Sequence, residues 1–266
     1  MIESANALHA KLTALIQDRA HGAGFLAQRA VWALGQAAAD EVATQESVRQ
    51  AATALQTARP EMASVTNAVS LLLERLENDG WVLNRAPSLA SRLIAEVQGW
   101  TEQAAEHAAN LVPEGAKVLS CSYSSTVIRA LTMAKESGSS FTALVVPSAG
   151  YGVAMIEELL QAKVDAEQAS TLPRDAVAGD TIGLIGADSV YPGSNVVNGS
   201  PSMGLARWCA DRSLPFYVVC DSLKFVTGST RERPDLPPGM DRVPVRMVTG
   251  IVTEEGVLPA SKSATV

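Results

Sequence analysis

KVLSCSYSSTVIRALTMAKESGSSFTALVV, residues 117–146, reads as strand, helix, strand. KVLS and FTALVV are short apolar runs, and the stretch between them is helical over 125–136. Working outward towards the C-terminus, the alternation continues through TIGLIG at 181–186, PFYVV at 215–219 and MVTGIV at 247–252, with further helical stretches at 152–162 and 202–212. Short apolar strands alternating with helices point to βαβ units and a mostly parallel sheet.

Working outward in the other direction, the pattern changes at Pro113. Leu8, Leu12, Leu15 and Ile16 repeat on one helix face, and Val65, Val69, Leu72, Leu73 and Leu76 do so again. Residues 25–57 hold alanine, glutamine and glutamate without a proline, a composition that favours helix. A last helix is expected from an N-cap at Ser88, carrying Leu89, Leu93, Val97 and Trp100 inward. Nothing before Pro113 reads as a strand. The expected organisation is a helical domain over 1–113 followed by an α/β domain over 114–266.

The 266 residues carry a formal net charge of −7, with 8 basic and 12 acidic residues in 1–113 and 13 and 16 in 114–266. This even acidity offers no basic patch of the kind that releases counterions from phosphate backbones, so direct nucleic-acid binding is not expected. No apolar run approaches the roughly 18 residues that span a bilayer, and the N-terminus has no unbroken apolar segment of the signal-peptide type. The three histidines are scattered, and Cys121, Cys209 and Cys220 form no paired metal motif and no disulfide framework. No metal or cofactor is expected, and a reducing cytoplasm is the expected location. In parallel sheets ligands sit beyond the carboxyl ends of the strands, so SCSYSST, PSAGYG, ADSVYPGSN and CDSLKF, each following an apolar run, are the segments where a polar site would form.

Two stretches, GADSVYPGSNVVNGSPSMGLA at 186–206 and LPFYVVCDSLKF at 214–225, resemble one family. It comprises the aldose-1-phosphate isomerases (of methylthioribose 1-phosphate and ribose 1,5-bisphosphate) and the alpha, beta and delta subunits of translation initiation factor two-B. HGAG at 21–24, ARPEMASVTN at 58–67, VLSCSYSSTVIRAL at 118–131 and IVTEEGVL at 251–258 match in the same order. The resemblance implies a helical N-terminal domain packed on a Rossmann-like domain, a cleft between them, and assembly into homo-dimers or dimer-built hexamers.

The resemblance also assigns roles. Asp188 falls on the isomerases' general acid/base, although a loop aspartate capping backbone amides has the same local sequence. Ser122 falls on the catalytic cysteine, with Cys121 on a histidine and Tyr123 on an asparagine. A thiol titrates near pKa 8.5 and can exchange protons when tuned, whereas a serine hydroxyl needs a neighbouring base. Cys121 is adjacent, but successive strand side chains face opposite ways. Gly22 and Ala23 match a phosphate-approaching turn, His21 stands where isomerases often carry arginine, and Arg59 matches an arginine that meets phosphate. Ser124, Ser125 and Thr126 are expected to open a helix, a ready anion site. The family's asparagine-lysine pair is Asn198–Gly199 here, and an arginine-proline pair has become PSAGYG, so two cations are missing. Lys224 matches the family's lysine beside a phenylalanine, while Cys209 and Cys220 read as small buried apolar residues. The resulting expectation is an initiation factor two-B subunit-like protein that binds a phosphorylated sugar or nucleotide without the standard isomerase activity. The alternative is an aldose-to-ketose phosphate isomerase that uses Asp188 beside Ser122.

Overall fold

The structure, a computed structural model, describes residues 21–148, 151–170, 172, 179–227 and 235–260. The chain divides into two compact units, Met1–Gly99 and Trp100–Val266. The helix face read at Leu8–Ile16 lies outside the described residues.

In the helical unit, α1 (Ala23–Ala38), α2 (Gln45–Ala58) and α3 (Ala63–Asn78) are followed by the long α4 (Ala86–Ala109). Thr44 and Ser47 exchange backbone-to-hydroxyl hydrogen bonds at the start of α2, a capping box that satisfies two end amides. The interior takes Leu26 and Leu34 from α1, Leu55 from α2 and Leu72 and Leu76 from α3, the last two on the face that the sequence spacing picks out. One start differs from expectation. α4 begins at Ala86, directly after a 3-10 turn at Leu83–Arg85, and Ser88 lies inside it. Pro87 causes no break because a first-turn amide has no intrahelical partner to lose.

The α/β unit is built on a seven-stranded sheet in the order β10-β9-β7-β4-β1-β2-β3. Its strands are β1 (Ala116–Cys121), β2 (Phe141–Val146), β3 (Asp165–Gln168), β4 (Thr181–Ile185), β7 (Phe216–Val219), β9 (Gly250–Thr253) and β10 (Gly256–Pro259). All neighbours are parallel except β9 and β10, which form a hairpin. From β1 the chain runs outward through α5 (Ser125–Glu136) to β2 and through α6 (Tyr151–Gln161) to β3, then returns to β4 on the other side of β1. Residues of α4, α5 and α6, among them Ala104, Leu131 and Leu159, cover one face with Val118 and Leu184. Leu205 and Cys209 of α7 (Ser202–Ala210) cover the other with Leu119 and Phe216. This is a doubly wound, Rossmann-like α/β fold.

A second, antiparallel sheet has the order β5-β6-β8, from Ser189–Tyr191, Asn195–Gly199 and Met240–Pro244. ADSVYPGSN, read from sequence as a loop, is therefore mostly a hairpin turning at Pro192–Gly193. A parallel bridge between Val190 and Phe225 joins it to the chain leaving β7. Phe216 is fully buried where β7 meets β4. Phe216→Ala is expected to lower the unfolding free energy by about 3–5 kcal/mol in urea titrations, the range for deleting a packed aromatic ring.

Candidate functional site

Strand order reverses between β1 and β4, and the residues that leave those two strands face each other across the reversal. Cys121 and Ile185 are the last strand residues on either side. Ser122 follows Cys121 with φ 64°, in the left-handed region that non-glycine residues seldom occupy. Its N–H donates to Ser148 Oγ at 3.1 Å, which ties the end of β1 to the segment leaving β2. Ser124 is the N-cap of α5, and its hydroxyl accepts from the Val127 N–H at 3.3 Å. Ser125 and Thr126 then open the helix, as expected. Tyr123 is turned to α6, where its hydroxyl donates to Glu158 at 2.8 Å. Burial, reinforced by that bond, pushes its phenol up to about 12.

Asp188 lies just beyond β4, half-buried, with its N–H donating to Val197 O at 2.8 Å. That bond pins the carboxylate-bearing residue to the β5–β6 hairpin. Asn198 sits on β6 and donates to Ser202 Oγ at 2.8 Å, while Ser202 in turn donates to Gly199 O at 2.5 Å. With its one proton committed there, Ser202 is left as the acceptor for the Cys121 S–H, 3.4 Å away. Cys121 points into the α7 face, and burial raises its thiol to about 12 despite the Ser202 contact. Two glycines complete the approach. A Cβ at Gly186 would lie 2.5 Å from Ser124 Oγ, and one at Gly199 would fall on the Ser122 hydroxyl.

At the end of β7, Asp221 accepts from Leu223 N at 3.1 Å and from Thr101 Oγ1 at 3.3 Å, and the Ser222 N–H is shared by the Glu254 carboxylate oxygens. Burial pushes the Asp221 carboxyl upward, with the nearby Lys224 charge opposing it. Lys224 is itself buried. The α/β unit thus brings Ser122, Ser124, Ser125, Asp188 and Asn198 to the carboxyl edge around β1 and β4, with Lys224 beyond β7. Sequence reasoning missed Ser148, Ser202 and Asp241, which accepts from Ser200 Oγ and the Met203 N–H and so caps α7. Asp241 is paired only through the β6–β8 register, which leaves no local signal.

Four candidates belong to the helical unit. Gly22 is the N-cap of α1 in extended backbone, and nothing stands within 4 Å of a Cβ built on it. His21 stacks on Phe25 at 4.2 Å between ring centroids. Ala23 is buried, and its carbonyl accepts from Ser64 Oγ at 3.1 Å. Arg59 caps the C-terminus of α2 and is only 7% exposed, with Nε donating to Glu61 Oε1 at 2.5 Å.

Three outcomes test this arrangement. Arg59→Ala removes the cation that faces the buried Glu61 carboxylate, so stability on thermal or urea unfolding should fall by up to about 3–5 kcal/mol, and Arg59→Ala/Glu61→Ala should recover part of the loss. All three cysteines are buried with raised thiol pKa values, Cys121 and Cys209 to about 12. Native protein at pH 8 should therefore resist aromatic disulfide reagents that label it fully in urea. Because the folded thiols ionise at higher pH than the unfolded ones, their contribution to stability is complete below about pH 8.5 and falls as pH rises towards the folded values. Urea midpoints measured between pH 8 and 10.5 should decline accordingly.

Comparison with known proteins agrees with this architecture. Residues 19–235 match the model of the Initiation factor 2 subunit family. A translation initiation factor eIF-2B subunit 2-like protein of Pyrococcus furiosus is 27% identical over 235 residues, covering 82% of this chain and 83% of the relative. Among solved structures, the Pyrococcus horikoshii translation initiation factor eIF-2B superposes with TM-score 0.80 at 24% identity, covering 95% of this chain and 97% of the other. The tetrameric eIF2B-beta2-delta2 complex of C. thermophilum gives TM-score 0.77 at 19% identity, with 97% and 92% covered. The 5-methylthioribose 1-phosphate isomerase of P. horikoshii gives 0.69 at 17% identity, with 96% and 85% covered. The fold is thus shared by factor subunits and isomerase alike, and the match over most of its length makes this chain a member of the Initiation factor 2 subunit family.

Proposed function

We propose that the protein is an initiation factor two-B subunit-like binding protein that takes a phosphorylated sugar or nucleotide at the carboxyl edge of its large sheet and does not isomerise it. The state of residues 121 and 122 carries this reading. Moving a proton between neighbouring carbons requires groups that ionise near neutrality. Ser122 offers an unassisted hydroxyl, and the adjacent thiol is buried, protonated and turned to the opposite face. What the edge does offer is hydroxyls and amides. The Ser124 cap, the first-turn N–H groups of Ser125 and Thr126, and the Ser125 hydroxyl suit a phosphate at a helix N-terminus. Asn198 and Lys224 are the further ligand contacts of this reading, with Gly22, Ala23, His21 and Arg59 as the helical unit's candidates. Relatives named as factor subunits support the non-catalytic assignment.

One observation favours a second reading, an aldose-1-phosphate isomerase. Asp188 is half-buried just beyond β4, where doubly wound sheets present reactive groups. In that case its carboxylate is the proton-transfer group and Ser122 a hydrogen-bonding partner. Either protein would work in the cytoplasm as a homo-dimer or dimer-built hexamer. The oligomeric C. thermophilum complex supports the assembly, whereas the apolar residues of VPVRMVTGIV are taken up by the core of the α/β unit, with Val243, Val248, Ile251 and Val252 all buried.

The deciding experiment pairs binding with turnover. In a thermal-shift screen of sugar phosphates and nucleoside monophosphates, a ligand at a hundred times its dissociation constant should stabilise by about 2.7 kcal/mol. Ribose 1,5-bisphosphate and methylthioribose 1-phosphate should not be converted. Turnover of either that disappears in Asp188→Asn would establish the isomerase reading instead. Light scattering at micromolar concentration should give a dimer or larger, and a monomer would remove the assembly proposal.

A further inference from the structure

Counting hydrogens orients the side-chain amide of Asn198. Ser202 Oγ has one hydrogen, and it goes to the Gly199 carbonyl at 2.5 Å, a group that can only accept. The Asn198 atom 2.8 Å from Ser202 Oγ must therefore be the donor Nδ2. Its Oδ1 is turned towards the residue that follows β4, 3.9 Å from the point where a side chain at Gly186 would begin. Asn198 is only 6% exposed, yet Oδ1 accepts from no donor among the described residues. A buried amide oxygen in that state is costly unless a group from outside the chain donates to it. The same point beside Gly186 lies 2.5 Å from Ser124 Oγ. That oxygen accepts from the Val127 N–H, and its own hydrogen goes to no acceptor among the described residues. An unused acceptor and an unused donor thus meet at one bare stretch of backbone.

We propose that Ser124, Gly186 and Asn198 form a subsite for a neutral hydroxyl of the ligand, with Ser124 Oγ donating to it and Asn198 Oδ1 accepting from it. A hydroxyl is the group that satisfies both, since it has one hydrogen to give and lone pairs to receive with. A phosphate oxygen or a carbonyl would leave Oδ1 facing another acceptor, and an ammonium would leave the Ser124 hydrogen unused. Charge points the same way. Asp188, two residues beyond Gly186, is bonded to β6, and Asp241 pairs with Asn198 across β6 and β8. This side therefore carries carboxylates and disfavours a second anion. The subsite deepens the phosphorylated-ligand reading and rests on it. The phosphate takes the amides of Ser125 and Thr126 at the start of α5, and the hydroxyl lies on the β4 side of Ser124.

Calorimetric titrations with inorganic phosphate, ribose 5-phosphate and tetrahydrofurfuryl phosphate test the subsite. The last keeps the ring and the phosphate and lacks the hydroxyls. Native protein should prefer ribose 5-phosphate to it by roughly tenfold or more, the effect of pairing buried groups that are otherwise left unmade. Asn198→Ala should bring that preference to within about threefold, and should leave inorganic phosphate within about twofold of its native affinity. Equal weakening of all the ligands would be the mark of a merely structural role and would overturn the subsite. Ser124→Gly sacrifices little of the helix cap, so it keeps the test open where Asn198→Ala does not fold, and it should cut the preference likewise. A preference that survives either substitution in folded protein overturns the subsite. So does its absence from native protein that binds inorganic phosphate, and in both cases the phosphorylated-ligand reading stands. Native protein that binds none of these phosphates overturns that reading, and the subsite with it.

Discussion

Everything at the carboxyl edge follows from the reversal of strand order between β1 and β4. On one side of that line the chain leaves through α5 to β2, and on the other it continues from β4 into the β5–β6 hairpin. Neighbouring crossovers that run apart leave a crevice beyond the strand ends, and the strand-end residues become its walls. The sheet on either side is packed on both faces, so the edge cannot shift without disturbing two cores at once. This is why a turn as short as Ser122–Ser124 can be held in a strained conformation. Strand β1 before it and helix α5 behind it set its ends, and the bond from the Ser122 N–H to Ser148 holds its first residue.

The polar groups at the edge are arranged as a connected chain. Asn198 donates to Ser202, Ser202 donates to the Gly199 carbonyl, and Cys121 completes the set. Each has a committed partner, which is what buried polar groups need. The chain fastens β6, the start of α7 and the end of β1 together. Asp241 adds a carboxylate at the same helix terminus, where a negative charge is favoured.

Much of the framework was legible from the residue pattern. β2 and α5 follow the read boundaries, because a continuous apolar run and a serine-capped amphipathic stretch are strong signals. β3 escaped notice because Asp165, Glu167 and Gln168 are exposed and carry no strand-like alternation of apolar residues. The small sheet escaped because its members are short and one of them, β8, is distant in sequence from the other two. The start of α4 was misplaced because a serine two residues into a helix looks the same in sequence as a cap. At the site, the identity of residue 122 could be read, but its left-handed backbone could not, since nothing in the serine itself demands it. Ser148 and Asp241 were invisible for the opposite reason. Their importance comes entirely from what the topology brings beside them.

The outer strands bear on how the molecule behaves in a crowded solution. A sheet edge carries unpaired amides and carbonyls that can recruit a strand from another chain, and natural sheets blunt such edges with charge or proline. Both devices are present here. β3 exposes Asp165 and Glu167 along one margin, and β10 on the opposite margin ends in Pro259, which has no amide hydrogen to give. Open-ended growth of the sheet, the route to fibres and amorphous aggregates, is thereby discouraged at each end. Side-chain faces are left as the ground on which copies can meet, and closed assemblies of defined size are built on such faces.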